Sequence, residues 1–181
     1  MEKILFISFA LKKGNTDYLF NEVFNNSDYK IQKINLKDFK IRDCKACFEC
    51  KNNNFKNNQF CKIKDDMQKL YKLLLKSDII IIFTPIYFSA IPGFSKKFID
   101  RTNAFYYNEK LKNKKLIVIV IGGSSLKYSK SHFKDFFRLF SNAQKIVFKK
   151  IFFLSSQDIK KMINLKDKSK ILKISNYIKN I

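Results

Sequence analysis

The sequence predicts an open α/β sandwich, in which helices cover both faces of a five-stranded parallel sheet. Five short runs rich in Ile, Val and Phe carry this prediction. Most of them are continuous rather than alternating, which is typical of strands buried on both faces of a parallel sheet. Segments with helical periodicity separate the runs. The runs occupy residues 3–9, 30–36, 78–83, 115–121 and 146–154.

The helical segments show apolar residues at spacings of three and four. Phe133, Phe136, Phe137 and Phe140, for example, fall on one side of a helix. Five strands with intervening helices predict the flavodoxin-like strand order 2-1-3-4-5, in which ligands bind beyond the carboxyl ends of the strands, where the order reverses. The expected helices cover residues 16–25, 65–76, 130–142 and 156–180, the last interrupted near 164–167.

The composition limits the class of protein. A chain of 181 residues with 46% hydrophobic residues predicts one compact domain, residues 1–181, rather than a disordered chain. The longest apolar run, residues 79–83, is far too short to span a membrane, and we recognise no signal peptide before the first strand. We therefore expect a cytoplasmic protein without a membrane partner, whose four cysteines are thiols or ligands.

The strong positive charge has an ordinary interpretation. Lys and Arg total 37 and Asp and Glu total 15, which gives a net charge of +22. Only Arg42, Arg101 and Arg138 are Arg, whereas surfaces that read phosphates or bases favour the guanidinium fork. We expect a lysine-rich solvated surface, and nucleic-acid binding is the less favoured alternative.

The loop after the first strand is a candidate anion site. It covers residues 8–16 and leads into a helix that starts near Asn15. Free backbone amides at a helix N-terminus attract anions, and the side chains of Asn15 and Thr16 add donors while Lys12 and Lys13 add charge. The alternative is that Asn15 or Thr16 is simply the cap of the helix.

The loops after the third and fourth strands suit a flat ring. Tyr87 and Phe88 follow the third strand, and exposed aromatic side chains there can stack on a heteroaromatic ring. Gly122 and Gly123 follow the fourth strand, where paired glycines let the backbone approach a ligand. The alternatives are packing of the aromatic residues against a neighbouring loop or subunit, and a plain flexible turn at the glycines.

Together these motifs resemble one family, the flavodoxin-fold NADPH-dependent FMN reductases, and most closely its branch with iron–sulfur flavoproteins. The resemblance covers residues 3–123, about two-thirds of the chain. Its motifs are KILFIS…KKGNT at 3–16, RDCKACFEC at 42–50, CKIKDDM at 61–67, DIIIIFTPIYFSAIPGFSKKFIDRT at 78–102 and VIGG at 120–123.

The resemblance implies that FMN binds with its phosphate in the first loop and its ring between the other two. NADPH or NADH would deliver hydride to the flavin, which would pass electrons to a quinone, a flavin or another small acceptor. It also implies a homo-oligomer, a dimer or tetramer, and no dedicated catalytic side chain. The implied cofactor-binding residues are Ser8, Lys12, Lys13, Asn15, Thr16, Thr84, Pro85, Ile86, Tyr87, Phe88, Gly122 and Gly123.

One departure from the family pattern concerns the phosphate loop. Residues 9–12 read Phe-Ala-Leu-Lys where the family usually has Gly-Ser-Pro-Arg, so Ala10 lacks a hydroxyl that would join the phosphate contacts. Loss of one such hydrogen bond costs about 1–3 kcal/mol, which predicts weak FMN binding. The alternative function is an FMN electron carrier without nicotinamide turnover.

The cysteines form the pattern C-x2-C-x2-C-x10-C. The two short gaps between Cys44, Cys47 and Cys50 are the spacing that wraps thiolates around a [4Fe–4S] cluster, and Cys61 would be the fourth ligand. Zinc fits less well, because structural zinc sites usually show separated pairs. We expect reduced, accessible thiols in aerobically prepared protein, with the cluster as an open alternative.

Two acidic motifs have structural interpretations. Asp65 stands three residues before Gln68 at the start of a predicted helix, which is typical of a capping box rather than a metal or acid–base site. Asp100 and Arg101 are expected to form an ion pair near a helix end or a subunit contact.

Overall fold

The computed structural model describes residues 2–12, 14–24, 29–51, 59–124, 126–155 and 169–181. Within them one parallel sheet runs in the order β2-β1-β3-β4-β5, which confirms the predicted flavodoxin-like order. β2 and β5 are its edge strands. The strands are β1 (Lys3–Ser8), β2 (Lys30–Asn35), β3 (Ile79–Pro85), β4 (Lys115–Gly122) and β5 (Val147–Ser155).

Helices cover both faces of the sheet. α2, α3, α4 and α5 pack on one face, and α1 and α6 pack on the other. None of the described helices has the length and apolar character needed to cross a bilayer. The helices are α1 (Asn15–Phe24), α2 (Met67–Lys76), α3 (Gly93–Arg101), α4 (Asn103–Tyr106), α5 (Leu126–Gln144) and α6 (Ser169–Lys179).

α3 and α4 have no counterpart among the predicted helices, and α5 begins four residues before the predicted start at 130. Pro92 and Gly93 are typical of a loop, yet here they form the start of α3. The buried side of α3 includes the polar residues Ser95 and Arg101 beside Phe98. The sequence of α3 therefore lacks the regular spacing of apolar residues that predicts a helix. The first part of the predicted tail helix, residues 156–168, lies outside the described residues.

The central strands explain why the apolar runs are continuous. Six of the seven residues of β3 are buried, because alternate side chains enter two different apolar layers. Ile80 and Ile82 face α2 to α5, whereas Ile79 and Ile81 face α1 and α6. Burial of each such side chain contributes about 1.5–3 kcal/mol, so the two layers fix the sheet that carries the loops.

Gly122, at the carboxyl end of β4, tests how tightly this edge is packed. A Cβ there would lie 2.7 Å from Cδ1 of Ile86 and 3.2 Å from Cβ of Leu126, whereas a Cβ at Gly123 has no heavy atom within 4 Å. The Ile86 methyl can swing aside but Cβ of Leu126 has to give way, so we expect Gly122→Ala to lower the free energy of unfolding by about 1 kcal/mol through overpacking. Gly123→Ala should change it by less than about 0.5 kcal/mol. Urea denaturation of both variants measures the difference, and equal destabilisation would contradict the packing argument.

Candidate functional site

The loops after β1, β3 and β4 leave the sheet from one edge. Backbone hydrogen bonds continue the sheet just beyond the strands. The Phe9 N–H donates to the Phe83 carbonyl at 2.8 Å, and the Ile86 N–H donates to the Ile121 carbonyl at 2.9 Å. The loops therefore start side by side at the carboxyl edge, where the strand order reverses between β1 and β3.

The first loop begins with a buried hydroxyl. Ser8 is 1% exposed, and its Oγ accepts the N–H of Ala10 at 3.3 Å. Lys12 is exposed beside it, whereas Lys13 lies outside the described residues. The loop thus begins at the buried Ser8 hydroxyl and exposes the positive charge of Lys12 to solvent.

The cap of α1 comes from Asp17, not from Asn15 or Thr16. The Asp17 carboxylate accepts the N–H of Gly14 at 3.2 Å, which is half of a capping box. Lys33 offsets the acidic charge, with its Nζ 2.5 Å from Asp17 Oδ1. Asn15 is exposed and Thr16 is buried within the first turn, where backbone amides have no intrahelical acceptor. The anion contacts of Asn15 and Thr16 therefore stay a prediction.

The second loop starts from a rigid stem. Thr84 is fully buried, and its hydroxyl donates to the carbonyl of Pro85 at 2.9 Å. Pro85 and Ile86 are half-buried at the edge of the sheet. The predicted ring-lining residues therefore begin on backbone that β4 holds in place.

The tip of this loop is a strained two-residue turn. Tyr87 and Ala90 exchange two backbone hydrogen bonds of 3.0 Å. Between them Phe88 has φ 47° and Ser89 has φ 61°, a conformation that such turns normally give to Asn and Gly. The Ser129 hydroxyl donates to Ser89 Oγ at 3.1 Å. Left-handed backbone at a bulky residue costs about 1–3 kcal/mol and is concentrated at functional sites.

The turn displays aromatic surface. Phe88 is fully exposed and Tyr87 is 46% exposed. On the neighbouring loop, Gly123 has open space where a side chain would stand. FMN has a flat ring and a phosphate on a flexible chain. The exposed aromatic side chains and the open backbone suit the ring, and the helix amides suit the phosphate, so the residues present fit this group.

The four cysteines lie together in one region beside α3 and α4. Cys44 and Cys47 are exposed, and Cys50 and Cys61 are half-buried. Burial raises the pKa of the Cys50 thiol, and the neighbouring charges of Cys61, Cys44 and Cys47 raise it further. The Asn103 amide donates to Cys50 Sγ at 3.9 Å. Among the described residues no three Cys, His, Asp or Glu side chains form a preformed metal-holding group, so the cluster, zinc and free-thiol interpretations stay predictions.

A buried ion pair holds the base of the cysteine region. Arg101 and Asp65 have side chains that are 1% and 6% exposed. The guanidinium donates through Nη1 to Asp65 Oδ2 at 2.7 Å and through Nη2 to Oδ1 at 3.2 Å. Asp100 pairs instead with Lys96 at 2.5 Å. The expected Asp100–Arg101 pair is therefore wrong, because Asp100 pairs within α3 whereas Arg101 pairs with Asp65, just before α2.

Asp65 also binds the first turn of α2, although the N-cap of this helix is Asp66 and no capping box forms. Its Oδ1 accepts the Met67 N–H at 3.1 Å, and its Oδ2 accepts the Arg42 N–H at 2.9 Å. Gln68 does not complete the box. Its amide donates instead to the carbonyls of Cys61 and Ile63, at 2.8 and 3.0 Å. The sequence pattern thus placed the cap one residue too early, and no local signal showed that Arg101 is the main partner of Asp65.

The electrostatics of Asp65 follow from this network. Burial raises the pKa of the carboxyl group, but hydrogen bonds from Arg101, Arg42 and Met67 outweigh the burial and hold the pKa below its usual value. A carboxyl group with a depressed folded-state pKa stabilises the fold above its unfolded pKa and loses that contribution as the pH falls.

We therefore expect Asp65→Ala to lower the free energy of unfolding at neutral pH by about 3–5 kcal/mol, because a buried charge loses its partner. The exposed pair of Asp135 with Arg138 provides the control, and Asp135→Ala should cost less than about 1 kcal/mol. Wild-type protein should lose the Asp65 contribution as the pH falls below about 4, and Asp65→Ala should lack this loss. Denaturant unfolding from pH 7 to pH 2 measures both, and equal costs for the two variants would contradict the assignment.

Comparison with known proteins agrees with this fold. The family model described as NADPH-dependent FMN reductase matches residues 3–158. An iron–sulfur flavoprotein of Archaeoglobus fulgidus is 32% identical over 125 residues, which are 67% of this chain and 59% of the relative. Another, from Methanosarcina thermophila, is 30% identical over 67% of this chain and 64% of the relative. The matches thus span less than two-thirds of the length of these relatives.

The fold has solved counterparts at lower identity. An NADPH-quinone reductase from P. pentosaceus has a TM-score of 0.69 at 17% identity, over 100% of this chain and 99% of the other. General stress protein 14 of Treponema denticola, solved with FMN, has a TM-score of 0.62 at 14% identity, over 98% and 96%. Because the family model covers most of the chain, this protein belongs to the NADPH-dependent FMN reductases, a family of oxidoreductases.

Proposed function

We propose that the chain binds FMN at the carboxyl edge of the sheet and takes hydride from NADPH or NADH for a quinone, flavin or other small acceptor. The observation that carries this proposal is the convergence of three loops at the reversal point of the strand order. Membership of the reductase family supports the chemistry.

The chain contributes binding and orientation. The first-turn amides of α1, with Asn15 and Thr16, would hold the phosphate, and Lys12 adds a nearby positive charge. Tyr87 and Phe88 would lie against the ring, whose far side faces Gly122 and Gly123. FMN, when bound, supplies the hydride acceptor and electron donor, so the chain needs no acid–base pair. A homo-oligomer is part of this proposal, because the exposed Phe88 is suited to a subunit contact beside the ring.

Ala10 gives the sharpest test of the phosphate loop. We expect weak FMN binding by the wild type, and we expect Ala10→Ser to tighten it about tenfold, since a hydrogen bond to a charged group contributes about 1.5–3 kcal/mol. Ala143→Ser, an exposed change on α5, is the control and should leave the affinity unchanged. Fluorescence titration with FMN measures all three affinities. Equal affinity of Ala10→Ser and wild type would contradict the placement of the phosphate.

Turnover separates the reductase from an electron carrier. FMN-loaded protein should oxidise NADPH or NADH under anaerobic conditions with a quinone present, as followed by nicotinamide absorbance. If dithionite reduces the FMN-loaded protein but neither NADPH nor NADH does, the protein is an electron carrier and not a reductase.

A second candidate function adds a cluster. We propose as this alternative that Cys44, Cys47, Cys50 and Cys61 hold a [4Fe–4S] cluster that exchanges electrons with the flavin. The closeness of the other three thiols to Cys50 supports it, because a shared ligand would have to bring all four together, and relatives named iron–sulfur flavoproteins support it as well. The thiols would be deprotonated ligands, and Asn103 would donate a hydrogen bond to one sulfur.

This alternative predicts near four iron atoms and four acid-labile sulfides per chain after anaerobic purification. Cys47→Ser should lose most of the iron, while the FMN affinity stays the same because the phosphate loop is on a different element. Aerobic purification should yield protein with reduced thiols and little iron. An anaerobic preparation without iron would rule out the cluster and leave the reductase proposal intact.

A further inference from the structure

One guanidinium binds the chain on both sides of the cysteine segment, which we define as the described residues 44–51 and 59–61. Arg101 Nη1 donates to the carbonyl of Arg42, just before the segment, at 3.0 Å. Nη2 donates to the carbonyl of Ile63, just after it, at 3.4 Å. The same fork holds Asp65. Arg101 therefore joins two stretches of chain that lie about twenty residues apart.

Arg101 is itself fixed on rigid elements. It is the last residue of α3, and its carbonyl accepts the hydroxyl of Tyr71 on α2 at 2.7 Å. Tyr71 is fully buried and packs against Phe105 and Phe60, with ring centroids 4.9 and 5.5 Å away. The backbone that carries the guanidinium is thus held by the packing around Tyr71.

The four thiols above this anchor fall into two pairs. Cys50 and Cys61 are half-buried and pack against the apolar layer of α2 to α5. Cys44 and Cys47 are exposed. The Gln68 amide donates to the carbonyls of Cys61 and Ile63, and Arg101 also binds the Ile63 carbonyl. Hydrogen bonds therefore fix the backbone at and just after Cys61.

We propose that Arg101 is a positioning residue for the cysteine segment. Because Arg101 binds the chain before and after this segment, it keeps Cys50 and Cys61 half-buried against the apolar layer of α2 to α5. Cys44 and Cys47 are left facing solvent. Any ligand shared by the four thiols must then reach the exposed pair first. This role does not depend on flavin binding, and it can be measured on the thiols themselves.

The geometry requires the guanidinium fork. Arginine presents five donors in a fixed plane and can bind a carboxylate and two carbonyls at once. Lysine keeps the charge toward Asp65, but its single ammonium cannot span Arg42 and Ile63 as well. Arg101→Lys should therefore restore stability better than it restores thiol positioning.

The experiment measures the alkylation rate of each cysteine by iodoacetamide in reduced protein, treated with a chelator, using peptide mass spectrometry. In wild-type protein Cys44 and Cys47 should react at least tenfold faster than Cys50 and Cys61. Arg101→Gln should accelerate the shielded pair at least tenfold and bring all four rates together, and Arg101→Lys should give an intermediate acceleration.

Two controls separate positioning from global stability. Ser141→Cys, added to each variant, places a thiol at a fully buried position of α5, and its alkylation reports global unfolding. Arg138→Gln removes an exposed arginine paired with Asp135 and should change no rate. Acceleration of Cys50 and Cys61, without acceleration of the Ser141→Cys thiol, supports the proposal.

Two results would overturn it. One is a folded Arg101→Gln or Arg101→Lys protein in which Cys50 and Cys61 stay as slow as in wild type. The other is acceleration of the Ser141→Cys thiol by the same factor, which would reduce Arg101 to a stabilising residue. If Arg101→Gln does not fold, Arg101→Lys and Asp65→Asn decide in the same assay. FMN titration of the same variants keeps the two proposals apart, because an intact phosphate loop should bind equally in all of them.

Discussion

The buried pair of Arg101 and Asp65 is the interaction on which the irregular connection between β2 and α2 depends. The sheet rests on its two apolar layers, to which its strands contribute mainly Ile, Val and Phe side chains. The described part of the connection between β2 and α2 buries only Leu36 and Ile63 in one of these layers. It is held because the carboxylate accepts bonds from Arg101, Arg42 and Met67, and because the guanidinium reaches carbonyls on both flanks. Desolvation of two charges is offset here by a nearly complete set of hydrogen bonds.

α3 connects this anchor to the other chemical region of the protein. It begins at Gly93, just after the loop that carries Tyr87 and Phe88, and it ends at Arg101. Nine residues at 1.5 Å each give a rigid spacer of about 13 Å. The spacer sets the distance between the aromatic turn and the base of the cysteine segment. Insertion of one residue would rotate Arg101 by about 100° and remove the guanidinium from Asp65, so the length of α3 is constrained from both ends.

The parts of the fold that were predictable are those governed by periodicity. Continuous apolar runs located all five strands, and their number and order gave the topology. α3 escaped prediction because Ser95 and Arg101 stand on its buried side, where a pattern of apolar residues is expected. At the site, loop positions followed from topology, but the positive φ angles of Phe88 and Ser89 did not, since neither residue normally adopts them. The partner of Arg101 was also hidden, because Asp65 lies thirty-six residues away and local sequence does not encode such a contact.

The two edge strands show a use for the lysine-rich composition. An edge strand offers unpaired backbone groups to any other extended chain, and proteins protect such edges with charged side chains. β2 carries the exposed Lys30, and β5 carries the exposed Lys149 and Lys150. A second sheet that approached either edge would bring like charges together. The positive surface therefore acts against edge-to-edge aggregation of a chain whose interior strands are mostly Ile, Val and Phe.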